Sequence, residues 1–235
     1  MAIPHRNTRK TMDGDGVISN IDDIEKMIME IDKVLDRTVD IYIIGGGAMM
    51  YLNTKKSTKD IDLVVSTREE YEALTLALKT IGFKSDRPTP GMERTTLSDM
   101  LSRGDFRIDV FEKKICGMLQ LSENMKKRSS LRLSLENTRF FSCTYEDIFL
   151  LKSVTEREHD LEDSNNLIVN HLFDWNILIS EIKNQMKNGN AQWITFTTER
   201  MVIIFGDEAE EVQPFIELEK EFLEAWAESI EQGRI

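Results

Sequence analysis

Two aspartates, Asp60 and Asp62, stand one residue apart in DIDLVV, a run otherwise made of aliphatic and β-branched residues. Such a run reads as a buried strand, and alternate residues of a strand project to one side, so the two carboxylates share a face. Like charges held that close disturb each other's ionisation unless a cation neutralises them. The preceding segment, VDIYIIGGGAMMYLN, narrows the possibilities further: a β-branched and aromatic run stops at three glycines and continues as good helix formers. Strand, tight turn, helix and an acid-bearing second strand predict an α/β chain.

Elsewhere the pattern supports a small mixed sheet flanked by helices, followed by a C-terminal helical extension. Ile21, Ile24, Met27, Ile28, Ile31 and Val34 recur at helical spacing behind a cap at Ser19 or Asn20. REEYEALTLALKTIGF is an amphipathic helix with Gly82 at its end. RPTPGMERTTL reads as a loop leading into a strand. FRIDVFE alternates, with Ile108 and Val110 on one side and Arg107, Asp109 and Phe111 on the other. From Thr144 onward the texture is helical, beginning with TYEDIFLLKSVT, where Thr144 is the expected N-cap with Asp147 three places on. EHDLEDSNNLIVNHL, DWNILISEIKNQMK and PFIELEKEFLEAWAESI follow. Residues 1–142 thus form the α/β core and 143–235 the extension, with no internal repeat.

A net charge of −12 argues against affinity gained by blanketing a phosphate backbone with lysine and arginine. The charge is uneven: residues 207–235 hold ten acids against Lys220 and Arg234, whereas residues 84–140 hold twelve bases against eight acids. No apolar run approaches the roughly 18 residues of a membrane span, and MAIPHRNTRKTMDGDG has no apolar signal core, so a cytoplasmic protein with no membrane partner is expected. Cys116 and Cys143 lack zinc-site spacing and read as small hydrophobes.

The chemistry that suits paired strand carboxylates is divalent-ion binding. Mg²⁺ takes one or two carboxylates and shares its remaining coordination with water and substrate phosphates. A third acid from a neighbouring strand allows two ions, and Asp109, in RIDVF, is the natural candidate. Gly45 and Gly46 open a helix, where backbone N–H groups approach phosphate oxygens without Cβ obstruction. Lys55, Lys56, Ser57, Thr58 and Lys59 lie in the loop just before the acids. Each feature has a plainer reading: a glycine turn is a tight connection, strand-end acids pair with basic neighbours, and Asp109 bridges to Arg107 or Lys113. Their combination favours a metal–phosphate site.

That combination, an apolar residue before Gly45-Gly46, thirteen intervening residues, acid-apolar-acid-apolar and a later apolar-acid-apolar, resembles the nucleotidyltransferase superfamily of the DNA polymerase beta type. Within it, GGGA and KSTKDID are similar to motifs of AbiEii-type toxin nucleotidyltransferases and related prokaryotic proteins, with Lys56 where those carry arginine. The resemblance implies transfer of NMP from an NTP to an acceptor hydroxyl, with Mg²⁺ on Asp60, Asp62 and Asp109 and the phosphates cradled by Gly45 and Gly46; from the loop, Thr58 and Lys59 are taken as further phosphate contacts, with Lys55, Lys56 and Ser57 as the alternatives. EDIFLLKSVTEREHDLEDSNNLI resembles these families' fourth motif, which implies that Lys152 neutralises phosphate charge, oriented by Asp160 or Asp163, with Arg157 a weaker candidate. The acceptor it implies is an RNA 3′ end, including tRNA, or a protein side chain, and a cognate antitoxin is a possible partner. Two rivals remain: a non-catalytic nucleotide- or partner-binding module, and an enzyme of the same chemistry acting on a small aminoglycoside-like acceptor. Oligomeric state is not legible.

DGDG at residues 13–16 opens like a calcium loop, but Ile24 stands where the last ligand should be Glu. His5, His159 and His171 are scattered, and Met49, Met50 and Met92 read as packing. In the acidic tail helix Phe215, Phe222 and Trp226 are expected to face inward, leaving a charged face for solvent, a basic partner or a second copy.

Overall fold

A computed structural model of the chain describes residues 17–85, 98–104, 106–115, 119–154, 158–169, 173–188 and 191–232. The DGDG segment, the 87–97 loop, Cys116, His5, His171, Met92 and Arg157 lie outside the described residues. Helix α1 (Ile21–Asp32) is capped by the Asn20 side chain, which accepts from the Asp22 N–H, and buries Ile24, Met27, Ile28 and Ile31. Then come β1 (Val39–Ile44), α2 (Gly45–Tyr51), β2 (Asp60–Val65) and α3 (Arg68–Thr80). A reciprocal capping box between Thr67 and Glu70 starts α3, and Gly82, at φ +98, lets the chain leave it. Short β3 (Lys84–Ser85), β4 (Ser98–Arg103) and β5 (Phe106–Glu112) follow, with β6 (Lys114–Ile115) and β7 (Leu119–Gln120) as a separate ribbon. After α4 (Glu123–Arg128), β8 (Ser130–Ser134) and β9 (Thr138–Ser142) make a hairpin that the sequence reading does not contain. The rest is helical: α5 (Tyr145–Ser153), α6 (Glu158–Val169), α7 (Trp175–Lys187), α8 (Trp193–Phe205) and α9 (Gln213–Glu231).

The seven-stranded sheet has the order β3-β4-β5-β2-β1-β9-β8 and is mixed: β2 runs parallel to β5 and β1 parallel to β9, while the other neighbours are antiparallel. This is the mixed α/β architecture expected of a nucleotidyltransferase fold. Strand β1 lies inside the sheet between β2 and β9, and all its residues but Asp40 are buried. Its pairing with β9 is held by two adjacent cross-strand pairs: Tyr42 stacks on Phe141 at 4.9 Å between ring centroids, and Arg139 donates two hydrogen bonds to Asp40. Helix α3 packs on β1 and β5, α1 on β9, and α5 contacts α2, α6, α7 and α8.

One hydrophobic core runs from Ile18 to Leu218 and includes Met49, Met50 and Cys143. Cys143 is a free thiol whose burial pushes its pKa up to about 12, so it is an inert small hydrophobe. Phe149, Phe173, Trp175, Phe205 and Phe215 form a chain of ring contacts among the C-terminal helices. Two details depart from expectation. Thr144 is the N-cap of α5 but makes no side-chain cap bond; its hydroxyl donates to Asp147, which Arg128 draws inward. Phe215 is buried and Phe222 partly so, yet Trp226 is 48% exposed. At 19 residues α9 outruns its 13-residue neighbour α8, leaving Trp226 and Leu223 along a groove beside Ala191 and Thr195. Among the described residues no helix is long and apolar enough to cross a membrane.

Candidate functional site

The parallel register of β2 and β5 sets Asp60 beside Arg107 and Asp62 beside Asp109. Because strand side chains alternate, these four residues occupy one face of two neighbouring strands, while the intervening Ile61 and Ile108 are fully buried. The result is a square of three carboxylates and one guanidinium. Arg107 Nε lies 3.5 Å from Asp60 Oδ1 and 3.8 Å from Asp109 Oδ1, and Arg107 Nη2 points at the Met100 sulfur at 3.2 Å. Among the described residues no three acidic, histidine or cysteine side chains converge tightly enough to hold an ion as they stand. Arg107 engages two of the three carboxylates. The donor set nevertheless fits a hard divalent cation: three oxygen-bearing groups on one face, and a protein cation already drawn to them.

Gly45 closes the square from the neighbouring strand end. Ile44 pairs with Asp62 across the antiparallel β1–β2 ladder, and Gly45 turns out of β1 at φ +59, a conformation that strains any residue with a Cβ. A Cβ on Gly45 would collide with the Asp62 carboxylate. At Gly46 it would collide with the Thr58 hydroxyl, and Lys55 Cδ would lie 3.8 Å away. The glycines thus let the acid strand and the 53–59 loop approach the start of α2 closely.

Thr58 is nearly buried; its hydroxyl donates to the Asp60 carbonyl at 2.9 Å, and its backbone pairs with Ile18. Lys59 beside it is exposed. Lys55 reaches from the same loop to α6, donating to both Asp163 oxygens at 2.9 and 2.7 Å. Asp163 also receives Lys152, from α5, at 2.8 Å, and Lys152 contacts Asp160 at 2.7 Å. Burial alone would lower the pKa of the Lys152 ammonium, but Asp160 and Asp163 hold it above its ordinary value. Contacts therefore run unbroken from Lys55 through Asp163 to Lys152 and Asp160. His159 is exposed.

The structure groups Asp60, Asp62, Asp109 and Gly45 in one cluster, and Gly46, Thr58, Lys55, Lys152, Asp160 and Asp163 in a second that adjoins it at the glycine turn. Sequence reasoning named Arg107 only as a pairing partner for Asp109; its position two residues earlier on one strand was the available signal. The Lys55–Asp163 pair spans 108 residues and has no sequence signature.

No curated protein matches the chain. A family model described as nucleotidyltransferase of unknown function (DUF6036) matches residues 19–207, which include both clusters. With that match covering most of its length, the chain belongs to this family of nucleotidyltransferases.

Proposed function

We propose that the protein transfers NMP from an NTP to an acceptor hydroxyl in a Mg²⁺-dependent reaction, using the face shared by β2 and β5. The observation that carries this reading is the register of those strands, which sets Asp60, Asp62 and Asp109 on one face beside the Gly45 turn. Asp60 and Asp62 would hold the metal, with Asp109 as third ligand and as the base that takes the acceptor hydroxyl's proton. Bound Mg²⁺ supplies charge stabilisation for the attacking and leaving oxygens. Gly45 and Gly46 present backbone N–H groups to the phosphates, with Thr58 and Lys59 at their side. Lys152, kept protonated by Asp160 and Asp163, adds positive charge for the triphosphate, and through it residues 143–235 complete the nucleotide site begun by residues 1–142.

The likeness of GGGA and KSTKDID to AbiEii-type proteins supports an RNA 3′ end, tRNA included, or a protein side chain as acceptor, and a toxin role countered by an antitoxin. Asp60→Asn and Asp62→Asn are expected to lower Mg²⁺-dependent transfer from labelled NTP by roughly a thousandfold. Undiminished transfer by either folded variant overturns the metal assignment.

A further inference from the structure

We propose that Arg107 is the resident counter-ion of the acid face, which a divalent cation must displace in order to bind. This rests on the reading that the face binds divalent ions, and it concerns what occupies the face before they arrive.

Arg107 belongs to the square by register, opposite Asp60 and two residues before Asp109. Its guanidinium presents a planar fork of N–H donors toward the carboxylates. It neutralises part of the charge of the acid face, lying near both Asp60 and Asp109. The attachment is loose: the distances to Asp60 and Asp109 are 3.5 and 3.8 Å, and Nε is buried without a hydrogen-bond partner. Its one hydrogen bond among the described residues goes to the Met100 thioether, a weak acceptor. The side chain is also 38% exposed, so it has a path into solvent.

A guanidinium and a divalent ion cannot share this space, because two cations a few ångströms apart repel strongly in a half-buried site. Loading is therefore an exchange of one cation for another, which weakens the apparent affinity for metal. Nucleotide phosphates are the natural alternative partner for a displaced guanidinium, since they accept its paired N–H groups. Metal and nucleotide are then expected to favour each other's binding.

The test uses the full chain and Mn²⁺ as probe. Titration calorimetry gives the affinity of wild type, Arg107→Met and Arg107→Lys, and thermal melting is followed with and without Mn²⁺. Arg107→Met should bind Mn²⁺ about tenfold more tightly or better. It should also melt earlier than wild type without metal and recover that difference with metal, and Arg107→Lys should fall between the two. Equal or weaker binding by folded Arg107→Met overturns the counter-ion role while leaving the divalent site standing. Absence of Mn²⁺ binding in every variant overturns both the inference and the site reading on which it rests. Should Arg107→Met not fold, Arg107→Gln takes its place under the same criteria.

Discussion

Arg107 and Arg128 each stand between two carboxylates, and the resulting groups differ in almost every physical respect. Arg128, at the end of α4, donates to Asp147 on α5 at 2.6 Å and to Glu181 on α7 at 2.8 Å; the two acid side chains are 0% and 1% exposed. Thr144 completes Asp147, and Asn184 and Gln185 complete Glu181, so the group is closed. Arg107 makes no hydrogen bond of that kind to Asp60 or Asp109, and Asp60 is 36% exposed. Identical charges thus serve as a buried clamp in one place and as a more open group with longer arginine–carboxylate distances in the other. Distance and solvent access, more than residue type, distinguish a structural ion group from one able to exchange partners.

The largest effect that would test this contrast is on stability. Arg128→Met leaves two buried carboxylates without their cation and should cost about 3–5 kcal/mol in urea unfolding. A loss below about 1 kcal/mol would mean that the clamp is no tighter than a surface pair and would break the comparison.

Proton linkage sharpens it. Burial pushes the Glu181 pKa up, but hydrogen bonds from Arg128, Asn184 and Ser122 outweigh it and hold the carboxyl below its usual 4.5. A depressed acid stabilises the fold above its unfolded pKa and loses that contribution as pH falls through the folded value. Glu181→Gln should therefore cost about 1.5–3 kcal/mol near neutrality, and its deficit against wild type should shrink as pH falls below 4.5. Asp147, raised by burial, contributes with the opposite sign, but it is present in both proteins and largely drops out of the difference. A deficit constant from pH 7 to 3 would contradict the charged hydrogen-bond account.

The smallest effect belongs to a third arginine. Arg139 makes a two-pronged contact with Asp40, but Arg139 is 54% exposed. Arg139→Gln should lower stability by only about 0.5 kcal/mol, with the difference vanishing in high salt. A cost comparable to that of Arg128→Met would show that fork geometry matters more than burial.

Legibility in the sequence followed the same physical divide. Strong local signals sufficed for β1, the glycine turn, β2, α3 and β5, because alternation, glycine and capping residues act over a few positions. The β8–β9 hairpin was missed although Leu131, Leu133 and Leu135 alternate before a Glu-Asn turn. Leu131 and Leu133 sit on an edge strand, with Leu131 53% exposed, so the pattern does not mark a buried strand. Helix α8, WITFTTERMVIIF, was missed because β-branched and apolar residues crowd most of its faces and erase the 3.6-residue period. At the candidate site the three aspartates and the glycines were legible as strand-face and turn residues. Arg107's position against Asp60 needed the β2–β5 register, and the link from Lys55 to α6 needed the tertiary fold.

The placement of β9 also bears on how the chain acquires its structure during synthesis. Strand β1 is complete on both sides only when residue 138 reaches residue 39, so the whole segment between them must leave the ribosome first. Until then the nascent chain carries VDIYII with one backbone edge unpaired, a template for intermolecular strand addition. Fragments ending before residue 138 should aggregate during expression, whereas the intact chain caps that edge with its own later sequence.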